Sequence, residues 1–185
     1  MRKSNYCKSY QISNERMVMK MKKFEFTGET KVVQLLFRKA TLHRIRAVVE
    51  FGLVKVGDLG GWIEKEENLS HDEKAWVWGN AKVWGDAKVC GNAEVWGNAE
   101  VFSASHVLVI GAIGSRSDFT TFYRGKDKRI MVKCGCFNNT IEKFLENVTQ
   151  THGDSKYALV YRASAFVAKL QIDLSGEAPE KDDAK

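Results

Sequence analysis

From Ala75 to Ala104 the chain repeats itself every six residues, AWVWGN AKVWGD AKVCGN AEVWGN AEVFSA. Few features restrict a fold as tightly as a short fixed period. Alanine recurs at Ala75, Ala81, Ala87, Ala93 and Ala99, and valine at Val77, Val83, Val89, Val95, Val101 and Val107. Glycine recurs at Gly79, Gly85, Gly91 and Gly97, each followed by Asn or Asp. The valine register continues to Ile113, and the alanine register reaches back through Leu69 to Ile63, so the periodic segment spans 62–113. Alanine and valine, two apart on an extended strand, face the same side. Gly-Asn and Gly-Asp supply the positive φ of a sharp corner. Glycine at every sixth position disfavours helix. A prism with three flat faces, one hexad per face and about 18 residues per coil, meets all these conditions. The spacing therefore predicts a short left-handed parallel β-helix of about three coils in a mainly β chain, each interior valine contributing roughly 1.5–3 kcal/mol.

Residues one coil apart then lie about 4.8 Å from each other. That pairs Trp78 with Trp96, Trp84 with Phe102 and Asn80 with Asn98. The aromatics follow the inward valines and so point outward. Such a ladder of indoles is either a stacking surface for a ligand's ring or base, or a face covered by a neighbouring segment or a second subunit. The expectation is a homo-oligomer, with Trp78, Trp84, Trp96 and Phe102 as the oligomer or packing surface. Open coil ends also need capping.

On either side the pattern changes. Residues 1–22 show no period and read as a loose leader, with Met17, Met19 and Met21 as alternative starts. Residues 23–61 hold KKFEF, KVVQLLFRKA and LHRIRAVVEF, which predict two or three strands of an N-terminal β cap, with turn signals at Gly57-Asp58 and Gly60-Gly61. Beyond the repeat, strands are expected at about 107–113, 119–124 and 129–136, separated by turns at Gly114–Asp118 and Gly125–Lys128. Asn139 with Glu142 fits a helix start, and Ile141, Phe144, Leu145 and Val148 mark its apolar face. Asp154 or Ser155 caps a second helix running to Ile172, with a stripe of Tyr157, Tyr161, Ala165, Ala168 and Ile172. The unit 114–172 is thus α+β, a small meander with two helices. The tail 173–185 holds the only proline and is expected to be disordered.

The passage IRAVVEFGLVKVGDLGGWIEKEENLSHDEKAWVWGNAKVWGDAKV resembles the opening of a family of uncharacterised bacterial and phage hexapeptide-repeat proteins, often labelled transferases or polymer-forming proteins from the repeat alone. The likeness covers residues 23–105, and its most specific piece is GDLGGWIEKEENLSH, Gly57 to His71. It implies a β-helix with an N-terminal β cap and carries no established activity. The strings GSRSDFTTFY and CGCF are similar to those following the repeats in some phage proteins.

Composition sets outer limits on function. No run of eighteen apolar residues exists and the basic N-terminus lacks an apolar signal core, which predicts a cytoplasmic protein without membrane association (host cytoplasm, if phage-encoded). Cys7, Cys90, Cys134 and Cys136 then read as reduced thiols. The net charge of +6 is uneven: 12 basic and 4 acidic side chains over 1–50, 5 and 9 over 51–106, 10 and 5 over 107–172, and 2 and 5 in the tail. Basic ends around an acidic middle suit an anionic partner or pairing of unlike segments.

Hexapeptide-repeat acyltransferases need a histidine general base near a coenzyme A channel. Here His71 and His106 flank the uninterrupted hexads, while His43 and His152 lie outside them. Cys134-Gly135-Cys136 places two sulfurs on one side of a strand, with His152 as a candidate partner for thiol chemistry, but no second ligand pair completes a zinc site. The Gly114–Asp118 turn is more promising. Ser115 and Ser117 hydroxyls, exposed N–H groups, the Arg116 fork and Asp118 lie near Thr120, Thr121, Tyr123, Arg124 and Lys133, a set able to hold a phosphorylated ligand and stack its ring. Arg44, Arg46, Lys22, Lys23 and Lys31 could instead meet nucleic-acid phosphates. The reading favoured is a non-enzymatic, oligomeric phage or prophage-type binding protein, without cofactor or metal, that sequesters a small anionic nucleotide-like molecule such as a host immune signal in pockets between protomers. The alternatives are an acyltransferase, a structural oligomerisation module and a nucleic-acid-binding protein.

Overall fold

Long runs of β-branched and aromatic residues ahead of the repeat build the longest strands among the described residues. In this computed structural model those residues are 21–34 and 39–175. The expectations of a loose leader over 1–22 and a disordered tail over 173–185 fall largely outside them, as does Cys7. Strands β1 (Phe24–Gln34) and β2 (Lys39–Ala47) pair antiparallel, from Phe24↔Ala47 to Gln34↔Lys39. Strand β3 (Leu59–Ile63) joins β2 antiparallel through His43↔Ile63 and Arg44↔Trp62. The turn before β3 is at Gly57, whose φ of 90° demands glycine. Gly60-Gly61, by contrast, is not a turn but the buried centre of β3. A Cβ on Gly60 would meet Ile45 at 2.5 Å, and one on Gly61 would meet the Ala81 carbonyl at 2.5 Å.

The repeat gives strands only two residues long: β4 (Trp76–Val77), β5 (Lys82–Val83), β6 (Glu94–Val95) and β7 (Glu100–Val101). These pair parallel, β4 with β6 through Val77↔Val95 and β5 with β7 through Val83↔Val101. The alanine and valine positions of the hexads, from Ala75 to Val101, are buried throughout. The expected left-handed β-helix of three coils over 62–113 is nevertheless corrected, because the repeat is divided among separate sheets. Strands β5 and β7 continue the N-terminal hairpin into a five-stranded mixed sheet, β1-β2-β3-β5-β7, while β4 and β6 stand apart as a parallel pair. A third row is represented only by the bridge Leu69↔Val89, and 107–113 belongs to a different, antiparallel sheet. The physical reason is strand length. Each hexad offers two extended residues before its glycine turns the chain at a φ between 61° and 72°, so its strands are very short, and β5 adds to the edge of β3 that β2 leaves open.

The C-terminal sheet comprises β8 (Val107–Ile113), β9 (Asp118–Arg124), β10 (Ile130–Cys134) and β11 (Phe137–Thr140), in the order β11-β10-β9-β8. Three strands were expected. The fourth arises because Gly135, at a φ of 57°, turns the chain back after Cys134. Cys136 therefore sits in the turn, and the two sulfurs do not share a strand face. Helix α1 (Ile141–His152) is capped by Thr140, whose side chain accepts from Lys143 N–H, rather than by Asn139, which lies in β11. Helix α2 (Lys156–Gln171) is capped by Ser155. Its inner face uses Ala158, Tyr161, Ser164, Ala165 and Ala168, with Tyr157 outside. No helix among the described residues is long and apolar enough to cross a membrane.

The hairpin is tied to the repeat by a buried lysine. Lys23 Nζ donates to the Ala75 carbonyl at 2.8 Å and lies 4.6 Å from the Phe51 ring centroid. Burial holds its pKa down at about 8, against an ordinary 10.5. Below pH 8 the amine is charged in folded and unfolded chains alike, whereas between about 8 and 10.5 only the unfolded chain keeps the proton. Stability contributed by this group should therefore rise with pH across that window. Urea unfolding at about pH 7.5 and 9.5 should show a gain of about 1–2 kcal/mol, absent from Lys23→Met. A flat profile in both proteins would count against the buried amine. Tyr123, whose pKa burial raises, acts in the opposite direction only above about 10.

Candidate functional site

Strand alternation divides the residues expected to bind a ligand. Thr120 and Arg124 share one face of β9 with Phe122, while Thr121 and Tyr123 occupy the other. The first face is closed: Thr120 Oγ1 donates to Cys134 Sγ at 3.3 Å, and Phe122 packs among the helices. Arg124 is fully buried, with its guanidinium 5.0 Å from the Phe102 ring and Nη1 3.5 Å from the Glu100 carbonyl. Thr120 and Arg124 are thus both enclosed, and the residues expected around the turn do not share one open surface.

The turn itself divides again. Gly114 has a φ of 72°, and a Cβ there would lie 1.9 Å from the Tyr161 hydroxyl, so α2 presses directly on the turn. Ser115 hydrogen-bonds Tyr161, whose pKa is raised chiefly by burial. Arg116 packs on the β10–β11 turn, with Nη1 3.9 Å from Cys136 Sγ. Ser117 (φ 49°) and Asp118 remain exposed.

The second face of β9 and β10 looks onto the repeat. Glu94 N–H donates to Thr121 Oγ1 at 3.2 Å. Lys133 Nζ sits 4.7 Å from the Trp96 ring centroid, 3.6 Å from Glu94 Oε2 and 2.5 Å from the Gly135 carbonyl. Trp96 Nε1–H donates to the same carboxylate oxygen at 3.1 Å. A cleft of about 580 Å³ opens beside this cluster, between the start of the repeat and the β8–β9 turn. Lys74, Lys133, Asn92, Thr121, Ser117 and Asp118 give it polar groups, while Leu53 and Phe119 form apolar lips. On the other side of Lys133 and Trp96 lies a second hollow of about 550 Å³, floored by Trp96, Tyr123 and Met131. Of the residues named for a ligand, Ser117, Asp118, Thr121 and Lys133 thus meet in the first cleft and Tyr123 lines the second. Lys74, Asn92 and Glu94 were not anticipated, because in the hexads they occupy what read as corner and solvent positions. Only their apposition to β9 and β10 identifies them.

The predicted aromatic surface is partly closed. Trp78 stacks on Trp96 at 4.4 Å and 16°, and Trp84 on Phe102 at 5.1 Å and 26°. Trp84 is fully buried under Val33, Ala40 and Leu42 from the chain's own hairpin and Trp62 from β3. Trp78 and Trp96 are half-buried.

The histidines considered for acyl transfer have structural attachments. His106 is buried and Nδ1 accepts from Phe102 N–H at 3.3 Å. Burial, then nearby Arg124, holds its pKa below the usual value. His71 Nδ1 accepts from Lys23 N–H at 3.0 Å, with its ring stacked on Phe24 at 4.4 Å. The basic residues considered for nucleic acid are likewise engaged. Lys22 pairs with Glu66, Arg46 with Glu25, Lys31 and Arg44 lie against Trp62, and Lys23 is buried. Among the described residues no group of side chains could hold a metal ion. No family model and no curated protein matches the chain.

Proposed function

We propose that this is a non-enzymatic binding protein, of phage or prophage type, that captures a small anionic nucleotide-like molecule in the cleft between the repeat and the C-terminal sheet. The observation that carries the reading is the composition of that cleft: two lysines with amide and hydroxyl groups along the floor, and Leu53 and Phe119 at the lips. A phosphate would lie on Lys133 and Lys74, and a ring against Phe119. Lys133 is suited to this exchange. Its 3.6 Å separation from Glu94 is Coulombic rather than a hydrogen bond, so an incoming phosphate can accept from the ammonium while Trp96 retains the carboxylate. The lining balances two lysines with Glu94 and Asp118, which favours a ligand fixed by several directed contacts over attraction to bulk negative charge. A host immune signal built from nucleotides has this chemistry. In this reading the pocket is built from residues of one chain.

Equilibrium dialysis or calorimetry against cyclic nucleotides and ADP-ribose derivatives tests the proposal. At least one should bind at micromolar concentration, and Lys133→Met should weaken it about tenfold to a hundredfold through loss of a charge-assisted hydrogen bond. No binding at high micromolar concentration across the panel, or equal binding by the variant, would remove the proposal. Acetyl-coenzyme A turnover lost on His106→Ala would replace it with acyl transfer.

A further inference from the structure

Helix α2 is apolar on both sides. Its inner face combines Tyr161 with small residues, whereas its outer face carries Leu159, Ala163, Phe166 and Leu170, all exposed, with Val160 and Val167 beside them. Leu159, Phe166 and Leu170 are 59%, 63% and 74% exposed. Their spacing of four, three and four residues is a continuous seam along one face. Taking about 200 Å² for a large apolar side chain, these residues leave roughly 500–600 Å² uncovered. That reaches the top of what an ordinary monomer exposes and approaches the ~800 Å² each partner contributes to a stable interface.

We propose that α2 is the surface through which two copies of this chain form an antiparallel dimer, independent of any ligand in the cleft. The seam is self-complementary. A two-fold axis at the height of Ser164 and Ala165 sets Leu159 opposite the partner's Leu170, and the small Ala163 opposite the partner's Phe166. The same register places Lys156, at the exposed start of α2, beside the partner's Asp173, just beyond its end. On one flank of the seam it sets Val160 beside the partner's Val167, which widens the apolar contact. A two-fold interface requires one patch to match itself in this way, and antiparallel helix dipoles add to the fit.

Sedimentation of the full chain up to about 100 µM should show a dimer, and Phe166→Glu should raise the dissociation constant about a hundredfold or more with an unchanged circular dichroism spectrum. Should that variant lose structure, the more exposed Leu170→Glu serves in its place. In a background with Cys7 and Cys136 replaced by serine, Leu159→Cys subunits should cross-link to Leu170→Cys subunits and neither to itself. A monomer at all concentrations, a dimer that survives both glutamate variants, or self-cross-linking of Leu159→Cys alone would overturn the proposal. So would a monomer that floats with phosphatidylserine vesicles through Leu170, which would make the face a lipid contact.

Discussion

Trp76→Ala should destabilise the protein by about 3–5 kcal/mol, the usual cost of emptying a fully enclosed aromatic site. Trp76 has no exposed surface. Its ring meets Phe51 edge-on at 5.3 Å and Phe24 at 6.5 Å. Gly60 leaves the space it fills: a Cβ there would lie 2.7 Å from Trp76 Cζ2. One side chain thus holds the N-terminal hairpin, the loop at Phe51 and the first strand of the repeat together. Its position is unusual within the hexads, where Lys82, Lys88, Glu94 and Glu100 occupy the equivalent slot. Urea unfolding gives the measurement, with Trp76→Phe expected to cost less because it keeps part of the packing. A loss under about 1 kcal/mol would mean that the hairpin does not seal the repeat.

Gly61→Ala should be comparably damaging, for a different reason. The added Cβ would stand 2.5 Å from the Ala81 carbonyl oxygen and 2.6 Å from Val77 Cγ1. Since the first obstacle is backbone, the parallel pairing of β3 with β5 must yield, beginning with the 2.9 Å bond from Trp62 N–H to that carbonyl. A cost of about 3 kcal/mol or more follows from overpacking combined with a lost buried hydrogen bond. Gly97→Ala provides the contrast. It faces open space at a φ of 72° and should cost only about 1–2 kcal/mol from the strained backbone. Equal losses at the two positions would contradict the close approach at Gly61.

What the sequence disclosed was set by local periodicity, and what it concealed was set by competition between segments. The six-residue spacing identified Ala75 through Val101 as interior positions, and the aromatic pairs Trp78–Trp96 and Trp84–Phe102 do stack. It did not reveal that the hairpin β1–β2 would claim the edge of β3 and draw β5 and β7 into its own sheet, because edge capture depends on strand lengths far apart in the chain. Gly60-Gly61 read as a turn for a related reason: glycine required by close packing is indistinguishable, in one sequence, from glycine required by positive φ. Trp76 carried a legible clue, an indole in a slot otherwise filled by charge. The cleft was half visible. The turn chemistry points to Lys133, Ser117, Asp118 and Thr121, which line the cleft, and equally to Thr120 and Arg124, which are enclosed. Lys74, Asn92 and Glu94 lie tens of residues away in sequence and are joined to the site only by packing.

Mass spectrometry of small molecules retained through native purification decides whether the cleft is a ligand site. The wild-type protein should carry an anionic nucleotide-like compound in near-stoichiometric amount, and Lys133→Met, purified in parallel and equally folded, should carry little or none. Retention of the same compound at the same level by both proteins would contradict the assignment of the cleft.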